Sequence, residues 1–210
     1  MGPRAVQVGL SVQRMPEAPA RSLAVNDLTA RERELLDATV EVLDERGYDR
    51  LTVDEVAARA RASKATIYRR WPSKQALIIA AILAHLDARP FEQRHDGMSF
   101  RDELLQVVRY LATEGLEMRA TIAATLGETI RNAELRASIE EHLIKPRRDS
   151  MRGMLERRRA AGEVRDGVDL EFAGAIPSAI IYQRLLVTHE PVDDALTERI
   201  VDELVLPLLT

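Results

Sequence analysis

The sequence predicts an all-α fold of about nine helices. Of its 210 residues, 46 % are hydrophobic and only 4 % aromatic, and the 10 Gly and 9 Pro together fall below the usual share of about 12 %. Apolar side chains recur at helical spacing along residues 28–210, and we find no alternating strand pattern. Because the sequence shows no strand pattern and contains few turn-forming residues, its apolar residues are expected to form a helical core.

Thr29 and Glu32 have the spacing of a capping box, in which each side chain accepts a hydrogen bond from the other residue's backbone. Gly47 stands where a left-handed residue commonly ends a helix. Together they predict a first helix over residues 30–46.

Thr52 and Glu55 form a second capping box and predict a short helix over residues 53–60. Ser63 follows after a tight turn and caps a third helix over residues 64–70.

Pro72 breaks the chain, because proline disfavours helical backbone at the residue before it. Ser73 then caps a fourth helix, which is predicted to run to Arg89 and to be stopped by Pro90. The rest of the chain predicts five more helices: a long one after Ser99, Arg119 to Arg131, Ala133 to Ala161 with a kink at Pro146, Asp169 to Thr188, and Asp193 to Leu209.

Composition excludes several classes of protein. The absence of cysteine rules out disulfides, thiolate metal sites and a cysteine nucleophile, and favours a cytoplasmic protein. The longest apolar run, Ala76 to Ala84, has nine residues, about half of a membrane span, so no transmembrane helix is expected. The four histidines lack metal-ligand spacing, and no phosphate loop or catalytic motif occurs, so we expect neither metal nor cofactor.

Residues 1–27 are predicted to be a disordered basic arm. Residues 1–26 contain three Pro and three Arg against one acidic residue, and they lack the apolar stretch of a signal peptide. Two interpretations stay open: an arm that enters a DNA minor groove, and a terminus without contacts.

Positive charge is concentrated in one part of an otherwise acidic chain. The net charge is −4, yet residues 56–86 carry six Lys and Arg and no carboxylate. Such a basic segment is typical of a surface that faces phosphates, although a solvated helix face has the same composition.

Residues 52–71 therefore form a helix-turn-helix candidate. The DNA major groove, about 12 Å wide, admits one helix, whose first turn reaches the base edges. Lys64 and Thr66 lie on the first turn of the basic helix, and Ala65 is small enough to allow a close approach. A helix-turn-helix that serves packing alone is the alternative.

The segments Leu51 to Ala57 and Ser63 to Leu77 closely resemble the DNA-binding domain of the TetR family of bacterial transcription regulators. The resemblance implies base contacts from three residues, Lys64, Ala65 and Thr66. It implies phosphate contacts from Thr52, Ser63, Tyr68, Arg70 and Lys74, and we add Arg69 to this DNA-binding set. One departure is Arg61, where the family usually has glycine in a left-handed turn.

The sequence from Gly162 to Asp166, with Asp169, Pro177 and Arg184, looks like the C-terminal half of one family branch. The resemblance implies four regions: the arm, a DNA-binding domain over residues 28–72, a connecting helix over residues 73–90, and a domain over residues 91–210 that binds a small molecule and dimerises.

We expect a homodimeric regulator, acting as a repressor, that a small and largely apolar effector releases from palindromic operator DNA. An all-α enzyme, or a small-molecule-binding protein without a DNA function, is the alternative. The candidate effector residues are Leu104, Val108, Leu111, Ile122, Thr125, Leu126, Met151, Met154, Phe172, Ile176 and Arg184. The candidate dimer interface, taken from apolar stripes on the last two helices, is Phe172, Ile176, Ile180, Leu196, Ile200, Leu204 and Leu208.

Overall fold

The computed structural model describes residues 28–86 and 97–210, and within those ranges it contains helices but no strand. In these two ranges the helices form nine continuous runs, which confirms the predicted all-α fold. They are α1 (Ala30–Arg50), α2 (Val53–Arg59), α3 (Lys64–Arg70), α4 (Lys74–His85), α5 (Phe100–Glu117), α6 (Arg119–Arg131), α7 (Ala133–Ile139) continued by α8 (Lys145–Ala160), α9 (Leu170–Gln183), and α10 (Asp194–Arg199) continued by α11 (Leu206–Leu209). The arm over residues 1–27 and the predicted stop at Pro90 lie outside the described residues.

The predicted caps begin the predicted helices. The Thr29 hydroxyl accepts from the Glu32 amide at 3.2 Å, and the Glu32 carboxylate accepts from the Thr29 amide at 2.8 Å, so the first capping box is complete. The second is only half formed. The Thr52 hydroxyl accepts from the Glu55 amide at 3.3 Å, but the Glu55 carboxylate accepts from the Thr52 hydroxyl and pairs with Arg46 at 3.4 Å.

Two predicted helix ends were wrong. At Gly47 the backbone is left-handed, with φ of 76°, but the helix resumes after this kink and ends at Arg50. The fourth helix ends at His85, four residues before the predicted end, because Leu86 is extended. The extended backbone lets the Leu86 side chain pack into the core, where it is 6 % exposed.

The predicted irregularity near Pro146 is a π-helical turn. It spans Glu140–Ile144 and joins α7 to α8, and similar turns span Arg184–Thr188 and Ile200–Val205. Proline lacks an amide proton and crowds the carbonyl of the preceding turn, and a wider turn relieves that crowding. The long helix is therefore continuous but widened just before Pro146.

The buried side chains form two cores. One lies among α1–α4 and includes Leu77, Ile78 and Trp71, and the other lies among α5 and α8–α11. Met118 and Leu143, although they follow the fourth helix in the chain, pack into the first core. The two halves of the molecule therefore share buried contacts beyond the chain connection after α4.

One stretch has the length and composition of a membrane-spanning helix. The search for uninterrupted apolar runs did not find it, because polar residues interrupt it. It is Leu170–Thr188, with 19 residues and a mean hydropathy of 1.2. A core helix passes the same test, and Ala173, Ile181 and Leu185 of this stretch are buried in the second core.

Candidate functional site

A four-residue turn joins α2 to α3 and sets the angle between them. Arg61 in this turn has φ of 49°. It therefore adopts the left-handed conformation for which the family that the sequence resembles usually has glycine. The guanidinium of Arg31 on α1 donates to the carbonyls of Ala60 at 2.6 Å and Arg61 at 2.9 Å. These bonds hold the turn in a conformation that costs a non-glycine residue on the order of 1 kcal/mol.

Helix α3 packs on one side and is exposed on the other. Ile67 is fully buried, and Trp71, directly after the helix, is 1 % exposed. Both pack in the first core with the buried α2 residues Val56 and Ala57. All nine predicted DNA-binding residues are exposed or half-buried. The apolar side of α3 therefore fixes its polar side toward solvent, and we call that polar side, with Thr52 and Lys74, the recognition surface.

Most of the polar groups on the recognition surface are held by neighbours. Lys64 Nζ lies 2.6 Å from Asp54 of α2, and the hydroxyls of Ser63 and Thr66 are 2.9 Å apart. Arg70 pairs with Glu32 of α1 at 2.8 Å, in a partly buried bridge that ties the end of α3 to the start of α1. The side chain predicted to bind phosphate at this position therefore also positions α3.

Hydrogen bonding and burial shift the pKa values of two groups at the edges of this surface. The amide of Thr29, with help from Arg70, lowers the pKa of Glu32 below its ordinary value. Lys74 donates to the carbonyl of Asp49 at 3.2 Å and lies 4.9 Å from the centre of the Tyr48 ring. Burial lowers the pKa of Lys74.

Arg61 and Arg69 add unopposed positive charge to the recognition surface. Both are exposed, and neither has a carboxylate partner among residues 28–86 and 97–210. Between them they flank α3, at its start and its end, so the exposed side of this helix carries the positive field that the charge distribution predicted.

A cavity of about 240 Å³ lies in the second half of the molecule, where α5, α8 and α9 meet. We call it the α5–α8–α9 cavity. Its lining residues are Leu111, Ile144, Arg147, Arg148, Met151, Leu170, Glu171, Gly174, Ala175, Ser178 and Tyr182. Carbon side chains form most of this wall, and the charged groups are confined to two adjacent arginines and one glutamate.

A buried ion pair stands at the wall of this cavity. Arg147, whose side chain is 11 % exposed, is hydrogen bonded to Glu114 of α5, which is 7 % exposed. The same oxygen of Glu114 accepts from the Tyr110 hydroxyl at 3.0 Å. Burial raises the pKa of Tyr182, which lines the cavity beside this pair.

Comparison with known proteins decides the family. The family model "Bacterial regulatory proteins, tetR family" matches residues 35–81, and "Tetracyclin repressor-like, C-terminal domain" matches residues 94–204. The chain belongs to the TetR family.

Similar proteins include transcription regulators over most of their length. An HTH-type transcriptional regulator of Mycobacterium tuberculosis is 36 % identical over 181 residues, which are 86 % of this chain and 88 % of that protein. The DNA-binding transcriptional repressor TetR of Mycobacteroides abscessus is 34 % identical over 85 % of this chain and 94 % of its own. The crystal structure of the TetR family transcription regulator SCO0332 is 29 % identical, covers 87 % of this chain and all of its own, and has a TM-score of 0.62.

This TetR-family chain is a DNA-binding transcriptional regulator, and regulators of this family bind operator DNA and dimerise. The fold and the family predicted from residues 51–77 are thereby confirmed. The roles of individual residues remain predictions.

The structure brings two of the eleven candidate effector residues, Leu111 and Met151, to the α5–α8–α9 cavity. Of the others, Leu126 and Phe172 are exposed and Ile122 packs against the first core. The rest are buried or half-buried away from the cavity lining: Leu104, Val108, Thr125, Met154, Ile176 and Arg184. The basic run that includes Arg147 and Arg148 has the composition of a solvated helix face, and nothing local in the sequence shows that α9 packs over it.

The candidate dimer residues divide into two groups. Phe172 is 65 % exposed and Leu204 is 45 % exposed, and three neighbours on the same helices are half-buried: Ile176, Ile180 and Leu208. Leu196 and Ile200 instead fill the second core of the single chain, at 8 % and 1 % exposure. The exposed apolar surface of the last two helical runs also includes Val187, at 70 % exposure, which is not among the candidate dimer residues.

Proposed function

We propose that this TetR-family protein is a homodimeric, ligand-responsive repressor whose α3 reads operator DNA from the major groove. The observation that carries the proposal is the pair of buried anchors, Ile67 and Trp71, which leave the first turn of α3 facing solvent. Two copies related by a two-fold axis would place two such helices on half-sites about 34 Å apart, one turn of B-DNA.

We propose base contacts from Lys64, Ala65 and Thr66, and phosphate contacts from the other exposed polar residues of the recognition surface. Contacts to base edges specify sequence, and contacts to phosphates fix position without reading it. The two groups should therefore respond differently to substitution.

A binding selection with randomised duplex DNA tests these roles. Lys64→Ala and Thr66→Ala should change the preferred bases, by about 1–3 kcal/mol for each contact. Lys74→Ala should weaken binding to all DNA sequences to a similar extent and make binding less dependent on salt. If Lys64→Ala and Thr66→Ala leave the selected sequence unchanged, the assignment of base contacts is wrong.

We propose that the dimer forms through the exposed apolar faces of α9 and of the last helical run. Phe172, Val187 and Leu204 are large apolar side chains that the single chain leaves in water. Pairing these faces with their symmetry copies buries them in a four-helix bundle.

We propose that the small-molecule effector occupies the α5–α8–α9 cavity. Two regulators with related folds are associated with lipids. One is a Bacillus subtilis FadR in complex with stearoyl-CoA, 22 % identical with a TM-score of 0.65, and the other is a fatty acid degradation regulator, FadR of Bacillus halodurans, 17 % identical. At this identity they support the location of a ligand domain and not the identity of the ligand.

The path from the cavity to the DNA-binding half includes more than α4, the link expected from the sequence. Ile144 lines the cavity, and the adjacent Leu143 packs into the first core. The Thr121 hydroxyl of α6 donates to Asp44 of α1 at 2.5 Å, and Arg131 pairs with Asp49 at 3.4 Å. An effector lowers DNA affinity only if it binds the DNA-incompetent arrangement better, and these contacts are what such an arrangement would change.

Trp71 offers a direct readout, because it is the only tryptophan in the chain and stands between α3 and α4. A compound screen by thermal shift, followed by Trp71 emission and operator release, tests the proposal. A compound that binds the cavity but changes neither emission nor DNA affinity would contradict the coupling.

We further propose that the protein acts in the cytoplasm and has no enzymatic activity. The family supports the first, and the charged groups of the cavity, two arginines and one glutamate, are not an arrangement for acid–base or nucleophilic catalysis. The alternative, an all-α enzyme, predicts no affinity for duplex DNA. Binding to the upstream region of its own gene with steep salt dependence therefore separates the two.

A further inference from the structure

We infer that Asp54 of α2 determines operator specificity together with Lys64 of α3, and that the two side chains read one G·C base pair in the major groove. The inference rests on the proposed function in one respect, that α3 enters the major groove with Lys64 against the bases. It adds a base-reading residue outside α3 and the base pair that this residue selects.

Asp54 and Lys64 stand side by side at the edge of the recognition surface. Asp54 lies in the first turn of α2, two residues after the cap Thr52, and Lys64 is the first residue of α3. Lys64 Nζ lies 2.6 Å from Asp54 Oδ1, and the two side chains are 53 % and 67 % exposed. The first turns of the two helices therefore meet at this pair, and both charged groups are accessible from solvent.

The position of the Asp54 carboxylate indicates a role in DNA recognition. Exposed ion pairs contribute little to the free energy of unfolding, because water and salt screen them, and a carboxylate repels the phosphates of DNA. Two other carboxylates near the recognition surface are engaged by arginines: Glu55 by Arg46 at 3.4 Å and Glu32 by Arg70 at 2.8 Å. Asp54 instead binds a residue that is itself proposed to contact bases, so its carboxylate lies where base edges are expected.

The pair has the hydrogen-bonding pattern that complements a G·C pair. In the major groove guanine presents two acceptors, O6 and N7, and cytosine presents the N4 amino donor. The hydrogen bond of the base pair itself joins N4 to O6 over about 2.9 Å. Lys64 supplies donors and Asp54 an acceptor at a similar spacing, 2.6 Å. Lys64 can thus donate to guanine while Asp54 accepts from the cytosine of the same pair.

The neighbouring atoms of the bases decide among the four base pairs. C·G and A·T place an amino donor against the ammonium group of Lys64 and a keto acceptor against the carboxylate, so both contacts are repulsive. T·A has the correct order of keto and amino groups, but its adenine N7 acceptor lies beside the carboxylate and its thymine methyl beside the ammonium group. G·C instead adds a second acceptor, the guanine N7, on the Lys64 side. The pair therefore selects G·C in one orientation.

A binding selection with randomised duplex DNA, followed by competition with single changes in the selected site, tests the inference on the full-length protein. At the position that Lys64→Ala alters, the wild type should prefer G·C by about fivefold or more. Asp54→Ala should lower this preference to about twofold or less and leave the other positions unchanged. Inosine in place of guanine removes a minor-groove amino group alone, so it should bind like guanine.

Asp54→Asn separates base readout from a role in positioning Lys64. An asparagine side chain pairs with the N6 and N7 atoms of adenine. This variant should therefore select adenine in place of the cytosine, which changes the preferred pair from G·C to T·A. A carboxylate that only positions Lys64 predicts a weaker preference for guanine and no new preference for adenine.

Glu41→Gln is the matched control. It removes an α1 carboxylate with a similar side-chain exposure of 62 %, and its partner Arg59 keeps its hydrogen bonds to Glu45 at 2.7 and 2.6 Å. The control should leave the preferred bases unchanged, and it measures how far the loss of one negative charge raises the affinity for all DNA sequences.

A wild-type site without the G·C preference, or an Asp54→Asn variant that gains no preference for adenine, would overturn the inference. The proposed function fails in a different way. If Lys64→Ala leaves the selected bases unchanged, α3 does not read them through this residue. If Lys64→Ala changes them and the Asp54 variants do not, the base contact of Lys64 stands and the role of Asp54 is wrong.

Discussion

Breaking the buried pair between Glu114 and Arg147 should lower the free energy of unfolding far more than breaking an exposed ion pair. Both side chains are about nine-tenths buried, at 7 % and 11 % exposure. Glu114→Gln removes one charge and leaves the guanidinium uncompensated in a low-dielectric site, a change that costs about 3 kcal/mol or more. The free energy of unfolding of a typical protein is about 5–15 kcal/mol, so this loss would clearly shift the midpoint of the unfolding curve.

Urea unfolding followed by circular dichroism measures the effect, with every variant at one protein concentration because dimer stability depends on it. Replacing both partners, as Glu114→Gln with Arg147→Met, should recover most of the loss, because no charge is then left buried alone.

The pair between Arg101 and Asp202 is the matched control. Its two hydrogen bonds are both 2.7 Å long, yet its side chains are 42 % and 40 % exposed. Arg101→Met should therefore barely move the unfolding midpoint, since water and salt screen an exposed pair. If Glu114→Gln costs no more than Arg101→Met, burial does not control the strength of these interactions and the reasoning fails.

Three further predictions address assembly, pH and the cavity. Leu204→Asp should give a monomer in sedimentation at micromolar concentration, because it places a charge in the proposed interface; an unchanged dimer would place the interface elsewhere. Glu32 has a pKa below its ordinary 4.5, so its contribution to stability is complete above that pH and is lost as the pH falls through the folded pKa. Thermal melts should thus show a smaller loss of stability below about pH 4.5 for Glu32→Gln than for the wild type, and parallel curves would refute the role of this carboxylate. Gly174→Ala would place a methyl group 2.8 Å from Met151 Cγ, so it should weaken effector binding in calorimetry while operator affinity in a mobility-shift assay stays the same.

Local signals determined much of this structure before any packing was known. A cap acts over three residues, so Thr29, Ser63, Ser73 and Ser99 could be matched to helix starts from the sequence, and each accepts the predicted hydrogen bond. The helix-turn-helix is equally local, because its two helices are close in the chain and its exposed side follows from the apolar anchors between them. The left-handed turn at Arg61 was expected from the family resemblance, since arginine itself gives no local signal for that conformation.

The cavity was decided by tertiary structure alone. Leu111, Arg147 and Gly174 come from three helices far apart in the chain, and only their packing makes them one wall. The basic run of α8 has the composition of a solvated face, and nothing within it shows that Glu114 meets Arg147 from another helix.

The dimer surface shows the same division between sequence and tertiary structure. The apolar stripe of the last helices was readable, and it predicted both core and interface residues without separating them. Packing buried Leu196 and Ile200 inside the chain and left Leu204 and Phe172 in water. The helical period of a sequence shows which face of a helix is apolar. Which part of that face is buried within the same chain depends on where distant helices lie, and the local sequence does not contain that information.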